Sequence, residues 1–519
     1  MVTFTSAKKA AAPGLLLLFS IFLFTFQGCK KKRSEMANML FKKTHNEVFK
    51  EFTTEGFQEV FKKVLEEKKF KLTNQIFINS YYLKNEYNPE LLTGHLFNKD
   101  LLIPVTYYKC ANEHGLDPGM FEPEKISALL LKFETKNGIK TIDEAYRDMA
   151  ELEITSTNSL INYSNVLQYG VTNPKKIFQR YFMGTKRPDS VWMAHIFNIN
   201  NIRGYLDSIQ PKSPQYIALQ KALINGTPLT GKSQEESKRI LIVNLERLRW
   251  KNKPSENKYV IVNIPDYMLN VVDSGRSVLK MKVCVGEGRN RDNANTIMAY
   301  NDTAKEDKPF AHETPQLNSL IHSVEVNPIW NIPRSIANKE IIIEAAKDRF
   351  YLSNKNIEVY KNDKLVDNAE DIDWTTITKE NLPYEFKQSP GADNSLGKIK
   401  FLFNNKSSVY LHDTPVKGAF YKKMRSVSHG CVRLDNPQGL ALSLFGEGVK
   451  YQTISTDMNE DNPTPTTIYL PKKVPVYVTY VTCWADENGV LQSRQDVYGL
   501  DIVLYDHLMR YRHPAVNLN

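Results

Sequence analysis

At Lys258 the spacing of apolar residues changes, and that change divides the fold. Upstream, segments such as Val48–Lys69, Thr141–Leu152 and Ser213–Ile224 carry apolar residues three and four apart, as helices with one buried stripe do. Downstream, Tyr259–Pro265, Tyr267–Val272 and Ser277–Val285 are short apolar or alternating runs, separated by turn residues at Pro265-Asp266 and Asp273-Ser274-Gly275. The pattern predicts an α+β chain: a helical N-terminal scaffold domain over 46–238, a connecting helix over 239–257, and a mostly β domain over 258–519. Pro333–Leu382 interrupts the strands with a helix, Ala337–Lys347, and a polar stretch, so a helical insertion is expected over about 333–382. Strands return at Thr466–Leu470 and Pro475–Trp484, and Val497–Met509 closes the chain. With 519 residues, 41% of them hydrophobic, the chain can fill the cores of several domains.

The net charge of +10 would suggest nucleic acid if it formed a face. Instead Lys8, Lys9, Lys30, Lys31, Lys32, Arg33, Lys42 and Lys43, against Glu35 alone, hold most of it before residue 44. No basic patch interleaved with aromatics remains, so no nucleic-acid partner is expected; the mildly basic body suits an anionic wall or membrane. The start itself reads as a targeting sequence. Lys8 and Lys9 precede an apolar run, Leu15–Phe26, too short for an ordinary spanning helix, and Gly28-Cys29 follows. This resembles a bacterial lipoprotein signal over 1–29, with Cys29 as the lipidation site and 30–45 as a basic tether. An uncleaved anchor and a misread start are the alternatives. A lipid at Cys29 would hold the body in the periplasm, attached to a membrane. Cys110, Cys284 and Cys483 form no paired set, and Cys284 and Cys483 sit in strand-like runs as small buried hydrophobes.

The chemistry concentrates in Ser428-His429-Gly430-Cys431-Val432-Arg433 and in His412, nineteen positions upstream of Cys431. A thiol needs a neighbouring base to give up its proton at neutral pH, and spacing alone does not decide between His412 and His429. Lys398–Phe403 and Ser408–His412, split by Asn404–Ser407, predict a hairpin with His412 at a strand end. A helix is expected just after Cys431, capped by Asp435 or Asn436 with Pro437 in its first turn; its N-terminus and Arg433 would lower the thiol pKa. The amides of Gly430 and Cys431 are the expected oxyanion donors. Gly286-Glu287-Gly288 lacks the Gly-Lys-Ser/Thr end of a phosphate loop and is expected to be a hairpin loop. The remaining histidines show no metal-ligand spacing, so neither metal nor cofactor is expected.

His412 and the Ser428–Arg433 run resemble the active-site motif of the L,D-transpeptidase (YkuD) catalytic domain. Val326–Pro333, Ile372-Asp373-Trp374, Gln388–Gly391, Leu396-Gly397, Lys400-Phe401 and Leu411–Pro415 narrow the likeness to the large YcbB-like branch, as does Asn244–Trp250. The resemblance implies Cys431 as nucleophile and His412 as proton donor and acceptor, with His429 shaping the site or assisting the oxyanion pocket. It makes Arg433 either a geometric anchor or a partner for a substrate carboxylate, and Asp413 either an orienter of His412 or a turn residue. Trp330, Tyr410 and Gln388 become candidates for lining the groove, and the 333–382 insertion a mobile lid. The implied reaction cross-links peptidoglycan tetrapeptide stems between third-position diamino acids, through a Cys431 thioester and release of D-alanine; carbapenem-type inhibitors should acylate the same thiol. Hydrolysis of the thioester, as a carboxypeptidase or endopeptidase, attachment of a wall protein, and a non-catalytic wall-binding protein are the rival readings. Many relatives carry a wall-binding module before the connecting helix, and the gap between Ile224 and Ile240 cannot hold one.

Overall fold

The computed structural model describes residues 34–288, 306–307, 309 and 312–512; the leader and Cys29 lie outside them. The scaffold forms around one long helix, Ile142–Tyr169, capped by Thr141, whose side chain accepts from Glu144 N–H. Nearly all of it is buried, on every side. The expected helix stopped at Leu152 because the sequence beyond, Glu153–Asn158, is polar and carries no apolar stripe. Tertiary partners take over there. Glu153 is fully buried and accepts from Tyr82 Oη at 2.7 Å and from the amides of Leu91 and Leu92 at 3.0 and 2.8 Å. Burial pushes its pKa up to about 7. Glu35–Thr44, expected as tether, is instead a helix capped by Ser34 that buries Ala37 and Leu40 in the scaffold core.

The connecting helix runs Gln234–Arg249, with Ser233 as its N-cap, so it begins before the expected 239. Its last turns explain the Asn244–Trp250 motif, because each polar group there ties one domain to the other. Asn244 bonds Thr482 through both its amide atoms, and Arg247 pairs with Asp501 at 2.5 Å. Arg249 donates to the His114 carbonyl and the Tyr216 hydroxyl and pairs with Glu246 at 2.8 Å. Glu246, fully buried, also accepts from Thr172 N–H and Trp250 Nε1–H. Gly170 ends the long helix at φ +79, and a Cβ there would lie 2.7 Å from Glu246 Oε1 and from the Trp250 ring. Glu246→Ala should therefore cost about 3–5 kcal/mol in denaturant unfolding, since it strands the Arg249 guanidinium in the interior.

Ten strands make the main sheet: β1 (Tyr181–Phe182), β2 (Lys258–Asn263), β3 (Met268–Asp273), β4 (Arg276–Gly286), β5 (Gln316–Val326), β10 (Ile399–Phe403), β11 (Leu411–His412), β12 (Ser426–Ser428), β13 (Val432–Leu434) and β14 (Thr466–Thr479). The order is β1-β5-β10-β11-β13-β4-β3-β2-β14, and β14 pairs with β5 as well as β2, so the sheet closes on itself around the largest hydrophobic core. Closure leaves few bare strand edges. β12 pairs with β4 off this path.

Between β5 and β10 stands the insertion. It differs from the helical lid expected over 333–382: it holds a four-stranded sheet, β6 (Trp330–Asn331), β7 (Ile357–Lys361), β8 (Lys364–Leu365) and β9 (Glu385–Gln388), as well as short helices. These strands are short, two to five residues each, and β7 alternates for only a few positions, with Ile357 and Val359 buried about an exposed Glu358. A separate apolar cluster around Trp374, Phe386, Ile336 and Ile342 holds the insertion together.

Candidate active site

Register builds the site. β11 and β13 run parallel, with Leu411 opposite Val432 and His412 opposite Arg433. Alternation sends Leu411, Val432 and Leu434 into the main core, where all three are fully buried. Continuing the same register one residue back sets Tyr410 beside Cys431. Tyr410, His412, Cys431 and Arg433 therefore share the opposite face as two adjacent pairs. The Tyr410 hydroxyl faces the Cys431 thiol and the Trp330 indole. The rings of Tyr410 and His412 meet edge to face at 5.6 Å, and the Arg433 charge reaches both His412 and Cys431.

His412 is 3% exposed, and burial, reinforced by Arg433, brings its pKa down to about 3 against the opposing pull of the Asp413 and Leu396 backbone. Its imidazole is thus neutral at physiological pH, and Nδ1 has no hydrogen-bond partner among the described residues. Burial raises the Cys431 thiol; Tyr410 and Arg433 offset this only in part. The expectation of a lowered thiol pKa is corrected here. β13 separates Cys431 in sequence from the helix, which begins at Pro437 under an Asn436 cap (Oδ1 from Gly439 N–H, 2.8 Å). At rest the thiol contacts Tyr410 and Arg433, and the neutral His412 lies one register position further along the same pair of strands.

Other candidates settle differently. His429, Gly430 and Cys431 form a bend between β12 and β13, not an extended strand, and Gly430 sits at φ +115, where a side chain would be strained. The Gly430 N–H donates to Ser428 Oγ at 3.2 Å, so as an oxyanion donor it is engaged in this state. Arg433 forms no ion pair among the described residues, and its Nε is buried without a partner. The Asp413 carboxylate accepts from Lys398 N–H and from Lys417 Nζ and packs against Gly397, while its backbone and its charge both act on His412. Gln388 does not line the groove. It is buried, donates to the Lys355 and Asp393 carbonyls and accepts from Ser395 N–H, because it pins β9 to its loops. Trp330, half-buried, joins the lid cluster to Tyr410. Cys284 and Cys483 are buried, as expected of small hydrophobes, and Cys284 lies opposite Arg433 on β4.

Sequence reasoning missed three neighbours. His429 Nε2 pairs with Glu340 Oε1 at 2.5 Å, its ring meets that of His312 at 4.5 Å, and His312 Nδ1 lies 3.3 Å from Glu287 Oε2. These residues come from the lid, the approach to β5 and the end of β4, and nothing in their local spacing ties them to Cys431. A cleft of about 1060 Å³ near Gln215, Tyr267, Arg425 and Trp484 has neither Cys431 nor His412 in its lining, so size does not mark the site. Among the described residues no group of three His, Cys, Asp or Glu is placed to hold a metal, and no helix is long and apolar enough to cross a membrane.

A closed, mostly β domain that aligns a cysteine and a histidine on parallel strands beneath an inserted lid defines an L,D-transpeptidase-type catalytic domain. Residues 257–445 match the family model of the L,D-transpeptidase catalytic domain, YkuD, and residues 77–223 match that of the scaffold domain. The chain thus carries a YkuD L,D-transpeptidase catalytic domain preceded by a scaffold domain, a YcbB-like architecture. It is also similar to a Haemophilus influenzae protein titled "Putative L,D-transpeptidase", with 29% identity over 310 residues, 60% of this chain and 57% of that one.

Proposed function

We propose that the protein is a cysteine-dependent L,D-transpeptidase of the cell envelope. The observation that carries this reading is the cluster in which His412 and Arg433 pair across β11 and β13 while Tyr410 and Cys431, each one residue before those strands, meet beside them. Cys431 attacks the carbonyl after the third, diamino acid residue of a tetrapeptide stem, while the neutral His412 takes the thiol proton. The Cys431 N–H, and the Gly430 N–H once Ser428 Oγ turns aside, receive the oxyanion. His412 then protonates the leaving amine, D-alanine departs, and a thioester remains. Arg433, a half-buried guanidinium with no ion pair among the described residues, suits the terminal carboxylate of the stem. The side-chain amine of a second stem's diamino acid attacks the thioester, forms the cross-link and restores the thiol. A lid closed over the thioester keeps water out and favours transfer over hydrolysis. A lipid on Cys29 would hold the enzyme at a membrane facing the wall, and carbapenems would acylate Cys431.

Incubation with disaccharide-tetrapeptide, read by mass, tests the outcome. The expected product is a dimer with one D-alanine lost per cross-link. Only tripeptide and free D-alanine would mean that water is the acceptor.

A further inference from the structure

The second half of such a reaction sets a problem that His412 does not solve. The incoming amine arrives as an ammonium, which has no lone pair, so it must be attracted and then deprotonated beside the thioester. His412, 3% exposed, is poorly placed to meet it. Beside Cys431 lies a second set of groups suited to the task. Glu340, His429, His312 and Glu287 form a continuous line in which two imidazoles are flanked by a carboxylate at each end, with contacts of 2.5 Å, 4.5 Å between rings, and 3.3 Å. Their side chains are 48%, 28%, 18% and 28% exposed in that order, open to a ligand rather than sealed in a core. Glu340 reaches this region through His429, which lies two residues before Cys431, and its charge acts on Arg433.

Resting on the function proposed above, we infer that this line is the acceptor side of the site, which recognises the side-chain ammonium of the attacking diamino acid. The carboxylates draw in the cation, and His429 takes one proton to become an imidazolium held by Glu340. The freed lone pair attacks the thioester carbon and a C–N bond forms. The tetrahedral oxyanion then collapses, the C–S bond breaks with its electron pair going to sulfur, and the second N–H proton passes by way of His412 to the thiolate. Amide and thiol result, and His429 releases its proton to solvent. Glu340 is carried on Ala337–Ile341, a single π-helical turn of the insertion, a local widening that often marks functional positions. The acceptor site is therefore complete only when the lid is down, which links amine binding to the exclusion of water.

The test uses two nucleophiles competing for one acyl-enzyme: the tetrapeptide acceptor, whose amine is cationic at neutral pH, and hydroxylamine, which is uncharged there. Glu340→Gln should lower transfer to the peptide amine about tenfold, the effect of losing one charge-assisted contact, and raise the acceptor concentration for half-maximal transfer, while hydroxamate yield holds. His312→Asn should shift the partition the same way without touching the lid. Equal loss with both nucleophiles would mean that Glu340 merely holds the lid, and an unchanged partition in both variants would remove the acceptor role; either overturns the inference. Failure of the wild-type protein to release D-alanine at all would instead sink the proposed function itself.

Discussion

Cys431→Ala abolishes D-alanine release from tetrapeptide substrate, lowering the rate by about 10⁴-fold or more, because no other group on that face can form the thioester. The folded state should survive. Cys431 sits in a bend at partial exposure rather than in the main core, so the substitution removes one sulfur from a site already lined by Tyr410 and Arg433. Steady-state release and thermal unfolding measured on the same preparation separate the two effects. Undiminished release by the alanine variant contradicts the assignment.

His412→Asn should cost about 10²–10⁴-fold in the acylation step, the usual worth of a positioned general base. The pH profile carries more information than the magnitude. Burial and Arg433 hold the folded His412 pKa near 3, below its ordinary 6.5, so the imidazole stays neutral, its lone pair unprotonated, as pH falls from 7 to 5. Acylation by tetrapeptide, or by a carbapenem, should therefore stay flat over that range, with no loss near pH 6.5. On the alkaline side the raised thiol pKa delays the point at which Cys431 ionises unaided. An acid limb centred near pH 6.5 that vanishes in His412→Asn would show a solvated, titrating ring and contradict the buried neutral base.

The division at Lys258 and the hairpin ending at His412 were legible because each rests on local periodicity: β2, β3 and β4 match the expected strands to within a residue or two, and β10 pairs with β11, although β11 spans only Leu411–His412 of the expected 408–412. The second half of Ile142–Tyr169 was not, since Glu153, Thr157 and Asn158 are kept in the interior by distant partners, Tyr82 and Thr73. Gln388 misled because a buried amide pinning loop carbonyls and an amide lining a groove look alike in sequence. The direction of the Cys431 pKa was misjudged for a similar reason: a capped helix could be read from Asn436-Pro437, but the strand separating it from the thiol and the depth of burial could not. Glu340, His312 and Glu287 carry no motif, and only the closing of the sheet and the seating of the lid bring them to His429.

The measurement that bears most directly on the central claim is the covalent state of the protein during turnover. The wild-type chain, mixed with tetrapeptide donor, quenched in acid and digested, should yield a peptide spanning Cys431 heavier by the donor acyl group less D-alanine, and this adduct should decay when amine acceptor is added. A donor consumed at full rate with Cys431 never modified, or an adduct found on another residue, would contradict the account.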